Sequence, residues 1–373
     1  MNICFIKRGI YPGFEIIECV QIAELLVKMG MAVSVIAQGD RGEALDETVN
    51  GVKILRVPGM NRFSRLVFPF KVLKYLKKQH YDIAHVFWGK GFFLLPLLGP
   101  KNIKWICDVC HGNIYGGLRS YLVNVITRFE SMYFSKVITN SEHTREKIFS
   151  KNDKREMGYI QRGVDTSVFK KINSSDLRKK LNLHEDDKVG IYHGSFHYKR
   201  KLTVLIEAVG IASEKIRNIK FIMVGGGGEE KKLRELTTVK GIQDKIIFTG
   251  TVSIEKIPVY INIADFAVSF IPIEPVYDAQ IPTKLLEYIA SNIPVIATAT
   301  TANRGIVKDG INGLLVKDNA ESLVEAIIKL YEKGFELKGA SEYNSKITEK
   351  YDWTKLVANN LLPLYESLLV GKN

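Results

Sequence analysis

Short apolar runs recur along the first half of the chain, at 3–6, 32–37, 52–57, 83–87, 103–106 and 136–139. Each has strand length and is apolar at both odd and even positions, as a strand covered on both sheet faces must be. Between them, residues 19–28 and 121–134 follow the 3.6-residue period of a helix. Strand-helix alternation of this kind predicts a parallel sheet with helices on both faces. A second series begins further on, with strands at 189–193, 220–224, 245–248 and 264–270 and helices at 202–211 and 229–237. The polar, charged stretch from Asp165 to Asp187 between the two series predicts a linker. The expected fold is therefore α/β, with two doubly wound Rossmann-like domains facing each other across a cleft. They are expected at 1–167 and 168–352, with a helix in 353–373 packing back towards the first.

One segment carries more chemistry than the rest. Gln280-Ile281-Pro282-Thr283-Lys284-Leu285-Leu286-Glu287-Tyr288 leads to Asn292-Ile293-Pro294 and a buried strand at 295–297. Pro282 suits the first turn of a helix, and Leu285, Leu286 and Ile289 give that helix an apolar stripe. Its N-terminal N–H groups, around Ile281, Pro282 and Thr283, suit a phosphate. Lys284 is expected to add a mobile cation. Glu287, about one turn in, can accept hydrogen bonds from vicinal sugar hydroxyls. An amphipathic helix with solvated Lys and Glu fits the same segment, and the neighbouring segments decide between the two.

Composition narrows the class. The 373 residues are 46% hydrophobic and 25% charged, as in ordinary globular proteins. No apolar run reaches transmembrane length, and the opening Met1–Ile6 is too short for a signal-peptide core, so a cytoplasmic location is expected. Four cysteines in so long a chain do not make a disulfide framework. Cys107-Asp108-Val109-Cys110-His111 spells a haem-attachment pattern, but without an export signal it is read as the end of a strand. No second Cys or His pair stands at zinc-ligand spacing, and neither metal nor cofactor is expected.

Charge is uneven. Residues 1–170 carry 25 Lys and Arg against 15 Asp and Glu, and the remainder 28 against 25. Arg62, Arg65, Lys71, Lys74, Lys77 and Lys78 alternate with Phe63, Leu66, Phe68, Phe70, Leu73 and Leu76, with Pro69 expected to divide a loop from a helix. This segment fits shallow docking on an anionic membrane, and equally a solvated surface helix. No nucleic-acid-recognition motif accompanies it.

Gly225-Gly226-Gly227-Gly228 stands between a strand and a helix, but Glu230 occupies the last glycine position of G-x-G-x-x-G, and there is no Walker loop. This disfavours a dehydrogenase and leaves a tight strand-to-helix turn. Several motifs in order then resemble the group 1, or family 4, retaining glycosyltransferases of the two-Rossmann (GT-B) class, across nearly the whole chain. They are Gly163-Val164-Asp165 with Phe169, Gly194-Ser195-Phe196 with Lys199-Arg200, the 221–227 run, Ile247–Val252, and Pro258-Val259-Tyr260 with Ala264-Asp265. Glu287 matches the second of that family's two donor-loop glutamates, whereas Ala279 replaces the first. One glycine, Gly13, remains of its N-terminal pair.

The resemblance implies a hexosyltransferase that moves a sugar from a nucleotide-diphosphate donor to a glycolipid or polysaccharide hydroxyl, with retention and no metal. Lys199 and Arg200, beside Gly194 and Ser195, would grip the diphosphate, backbone near Val252 would meet the base, and the N-terminal domain would hold the acceptor. His111 would be the catalytic histidine, with Asp108 as the alternative acidic partner. Trp88, Lys90 and Arg119 are weaker acceptor-side candidates, and His85 is read as structural. No Asp-x-Asp is present to hold a metal–diphosphate complex. A non-catalytic sugar-nucleotide-binding subunit of the same fold is the competing reading, kept open by Ala279.

Overall fold

Which residues face which side of a strand decides how the sheets are covered. In the first strand Ile3 and Phe5 enter one apolar cluster while Cys4 and Ile6 enter another on the opposite face. In a later strand Phe221 and Met223 divide in the same way from Ile222 and Val224. Both sheets are thus packed on two sides, which accounts for their continuous apolar runs. The protein is described by a computed structural model covering residues 1–10, 17–39, 46–58, 64–109, 117–149, 153, 157–334, 337 and 339–370.

The chain forms two compact units, Met1–Gln161 with Trp353–Asn373, and Arg162–Asp352. The first runs β1 (Asn2–Ile10), α1 (Ile17–Lys28), β2 (Ala32–Gly39), β3 (Asp46–Val49), β4 (Val52–Pro58), α2 (Ser64–Leu76), β5 (Ile83–Phe87), α3 (Leu94–Leu98), β6 (Lys104–Val109), α4 (Gly117–Ser131), β7 (Lys136–Thr139), α5 (Glu142–Ile148) and β8 (Met157–Tyr159). Its sheet order is β3-β4-β2-β1-β5-β6-β7-β8, parallel except for the β3–β4 hairpin. That hairpin turns on Asn50 and Gly51, both at positive φ (50° and 81°), as a two-residue Asn-Gly turn requires. Trp353, Leu356, Leu361 and Tyr365 of the C-terminal segment pack into this unit's core.

The second unit contains α6 (Ser175–Lys180), β9 (Lys188–His193), α7 (Thr203–Lys215), β10 (Ile219–Val224), α8 (Glu230–Val239), β11 (Ile246–Gly250), α9 (Ile257–Asn262), β12 (Phe266–Ser269), α10 (Pro275–Asp278), α11 (Thr283–Ala290), β13 (Val295–Thr298) and β14 (Gly313–Val316). Its six parallel strands are ordered β11-β10-β9-β12-β13-β14. This is the doubly wound Rossmann order, and it reverses direction between β9 and β12.

Three expectations are corrected. The 165–187 stretch is not a linker: Phe169 and Leu183 are buried, and Arg178 donates to the carbonyls of Ile263, His184 and Asp187. Its polar residues bind the second unit's own backbone. The division falls at 161/162, ahead of the expected 167/168, because Val164 N–H donates to Tyr351 C=O and Thr166 hydrogen-bonds Asp352. Pro69 lies inside α2, where Phe68, Val72, Leu73 and Leu76 bury one face strongly enough to carry the helix past it.

In the first unit His85 is sealed between two partners. Its Nδ1 is 2.7 Å from Tyr365 Oη and its Nε2 is 3.0 Å from Asp108 Oδ2. The Asp108 carboxylate accepts from Nε2–H, which in the neutral tautomer leaves Nδ1 to accept from the Tyr365 hydroxyl, whose pKa burial holds well above its ordinary value. Tyr365→Phe is expected to cost about 1–3 kcal/mol in urea denaturation, since the imidazole loses a buried partner.

Candidate active site

At the switch point of the second sheet, the loops leaving β9, β10 and β11 are stitched together through backbone. Gly194 N–H donates to Val224 C=O, Phe196 N–H to Gly226 C=O, Gly225 N–H to Gly250 C=O and Glu229 N–H to Phe196 C=O. Gly194, Gly225 and Gly227 hold φ of +140°, +135° and +150°. A Cβ on Gly225 would lie 2.0 Å from Gly194 O, and one on Gly227 would lie 2.6 Å from Phe196 O. The glycine run therefore does more than turn a strand into a helix: it lets one loop's backbone rest against the next.

Pro282 is the residue before α11 rather than within its first turn, with extended backbone (φ −68°, ψ 130°). Its carbonyl accepts from Leu285 N–H, and the first N–H groups of the helix, at Thr283 and Lys284, lack intrahelical acceptors as at any helix start. Ile281 is half-buried against the apolar cluster beneath. Val252 packs against the same cluster just beyond the end of β11.

Lys284 is not mobile. It is buried, its Nζ 3.6 Å from the centroid of the Tyr192 ring, and a Cβ on Gly194 would come within 2.9 Å of it. Burial, reinforced by Arg200, lowers its pKa well below the usual lysine value against the opposing pull of Glu287. The stripe of Leu285, Leu286, Tyr288 and Ile289 faces the core, which turns the adjacent Lys284 under the Gly194 loop.

Glu287, one turn on, has Oε2 2.9 Å from His193 Nε2, without hydrogen-bond alignment. Both side chains are nearly buried. His193 ends β9, its backbone N–H donates to Tyr288 Oη at 3.0 Å, and its ring stands edge-on to Tyr288. His193, Tyr192 and Tyr288 are site residues that sequence reasoning missed. The available signal was a histidine directly preceding the Gly194 turn at a strand's carboxyl end, where ligands of such sheets collect.

Arg200 lies over the ring of Tyr277 at 4.9 Å, and Lys201, at φ +50°, pairs with Glu274 at 2.8 Å. Lys199 sits on the Tyr198–Arg200 turn, its ammonium 5.9 Å from the Tyr198 ring centroid, and Ser195 is exposed beside Gly194. The structure thus gathers Arg200, Lys284, Glu287 and His193 around the Gly194 loop. Asp108 belongs to the first unit and faces inward to His85. Gly13 and His111 lie outside the described residues, as does the Arg119 side chain. Trp88 is half-buried just past the end of β5, its backbone N–H donating to Asp108 C=O, and the Lys90 carbonyl accepts from Arg8.

Two doubly wound α/β units, one with a cation-lined glycine cradle at its switch point, define a GT-B transferase architecture. The glycosyl transferases group 1 model matches residues 173–348, and the glycosyltransferase family 4 model matches residues 19–168. The chain belongs to this group 1/family 4 set, and it is a glycosyltransferase. It is 25% identical over 366 residues to an alpha-monoglucosyldiacylglycerol synthase of Streptococcus pneumoniae, covering 90% of this chain and 81% of that one. In fold it resembles sucrose-phosphate synthase from Thermosynechococcus elongatus (TM-score 0.78, 19% identity, all of both chains). It also resembles HepE of Anabaena, solved with UDP-glucose (TM-score 0.75, 17% identity, 98% of this chain and 100% of that one).

Proposed function

We propose that this glycosyltransferase moves a hexose from a nucleoside-diphosphate donor to a hydroxyl of a glycolipid or polysaccharide, with retention and without a metal ion. The observation that carries the reading is the buried Lys284 under the Gly194 loop, at the open end of a helix and beside Arg200. A buried ammonium with a depressed pKa is costly unless an anion pairs with it, and a diphosphate supplies one. As the bond from C1 to the diphosphate oxygen stretches, negative charge grows on the leaving group. Lys284, Arg200 and the first N–H groups of α11 then bind the transition state more tightly than the ground state. The acceptor oxygen attacks C1 from the leaving-group side, its proton passing to the departing diphosphate, so no protein nucleophile is needed.

The UDP-glucose bound by HepE supports the donor class, and the lipid acceptor in the pneumococcal synthase's name supports the acceptor class. Glu287 holds the ribose hydroxyls, with His193 Nε2 lying 2.9 Å from its carboxylate. Titration calorimetry with a panel of nucleoside diphosphates tests the reading. Glu287→Ala is expected to lose about 1.5–3 kcal/mol of ribonucleotide binding. Ribo- and deoxyribonucleotides bound unchanged by that variant would remove the ribose assignment. Turnover is expected to survive a chelator; loss that magnesium or manganese restores would refute the cation mechanism.

A further inference from the structure

α4 is built inside out. Its buried positions are Ser120, Thr127, Glu130 and Ser131, while Leu118, Tyr121, Leu122, Val125 and Phe129 are exposed, as is Met132 just past its end, Leu118 by 75% and Met132 by 68%. Spacings of three and four place those apolar side chains on one outward face. Among the inward polar groups, Thr127 donates to Val123 C=O, Ser131 to Arg128 C=O, and Glu130 Oε1 accepts from Gly91 N–H. The apolar face continues onto α3. The Phe93 ring meets Phe129 and Tyr133 at 6.5 and 5.3 Å, and Leu97, one turn further, is exposed together with Leu98. By contrast, the Phe68, Leu73 and Leu76 side chains of α2, expected at a membrane surface, turn into the core, and Lys71 donates to Pro58 C=O.

Charge selects the occupant. Glu130 is the only acid on α4, and it is buried. Lys101 caps the end of α3 through the carbonyls of Pro96 and Leu97, and Lys147 is brought beside α4 by its carbonyl, which accepts from Asn124. The sequence of this unit holds 25 Lys and Arg against 15 Asp and Glu. Two copies meeting on this face would set like charge against like, whereas an anionic lipid surface complements both the charge and the apolar stripe.

We infer that α4, with Phe93, Leu97 and Leu98, docks in the plane of an anionic bilayer. The inference needs no transfer reaction, and vesicle binding and donor turnover are read separately. Wild type is expected to co-sediment with phosphatidylglycerol–phosphatidylcholine vesicles, more weakly at high salt. Leu118→Glu/Leu122→Glu is expected to bind at least about tenfold more weakly, since two exposed apolar anchors are lost. Its melting temperature and lipid-free donor hydrolysis are expected to match wild type. Val67→Glu/Phe70→Glu, on the exposed side of α2, is expected to stay within about threefold of wild type. Wild type that ignores these vesicles, or an α4 double variant that binds them equally well, overturns the proposal. So does a wild-type dimer that the α4 variant converts to monomers, with no vesicle binding by either.

Discussion

Replacing Lys284 with methionine is expected to raise the melting temperature of the unliganded protein while lowering turnover by about 10²–10³-fold, the usual cost of losing one transition-state donor. The two effects share a cause. Lys284 is buried among Tyr192, Gly194 and Arg200, so its charged form is disfavoured in the folded chain and fully solvated in the unfolded one. Between its lowered pKa and the ordinary 10.5, the unfolded chain holds a proton that the folded chain has released, so stability rises with pH across that window. The variant's advantage in melting temperature is therefore expected to be largest at low pH and to shrink towards pH 10. An anionic ligand favours the protonated lysine, so wild-type affinity for a nucleoside diphosphate is expected to fall as pH rises through the lowered pKa. The methionine variant is expected to lack that dependence. Differential scanning fluorimetry and calorimetry across pH read both.

Gly225→Ala is expected to damage fold and site together. A Cβ at this residue meets Gly194 O at 2.0 Å, a backbone atom with nowhere to yield, and φ of +135° strains any L side chain. Strain alone costs about 1–3 kcal/mol. Relief of the clash must push the Gly194 loop off its hydrogen bond to Val224, and with it the roof over Lys284. Donor binding is expected to fall by more than the stability loss explains. Gly228→Ala, where a Cβ meets nothing within 4 Å, is the matched control and is expected to behave as wild type.

Much of this arrangement is legible in the chain because parallel sheets covered on both faces leave apolar runs that need no context. The runs at 189–193 and 220–224 mark β9 and β10 almost to the residue. The antiparallel strand β3 was missed since Asp46–Val49 alternates exposed with half-buried side chains, although Asn50-Gly51 was a turn signal in plain view. Polarity between 165 and 187 does not mean solvent exposure, because Arg178 spends its polarity on three carbonyls. Within the candidate site, Glu287 and Lys284 stand out from their spacing past Pro282, but the burial of Lys284 does not. Their partners do not either, because His193 and Tyr192 lie about ninety residues earlier and meet them only when the sheet forms. The outward face of α4 escaped for a related reason. Periodicity shows that apolar residues share a side, but not which side meets the core.

Sugar transfer from a nucleoside diphosphate at the Gly194–Lys284 site is directly measurable. Its most direct test is incubation of the purified protein with radiolabelled nucleotide sugars, chelator and lipid vesicles, measuring nucleoside diphosphate released and label in the lipid fraction. At least one donor is expected to release its diphosphate and label lipid with the donor's anomeric configuration, and Lys284→Met to do neither at a comparable rate. Equal turnover by a correctly folded Lys284→Met variant, or a folded wild type that neither binds nor cleaves any nucleotide sugar, would contradict it.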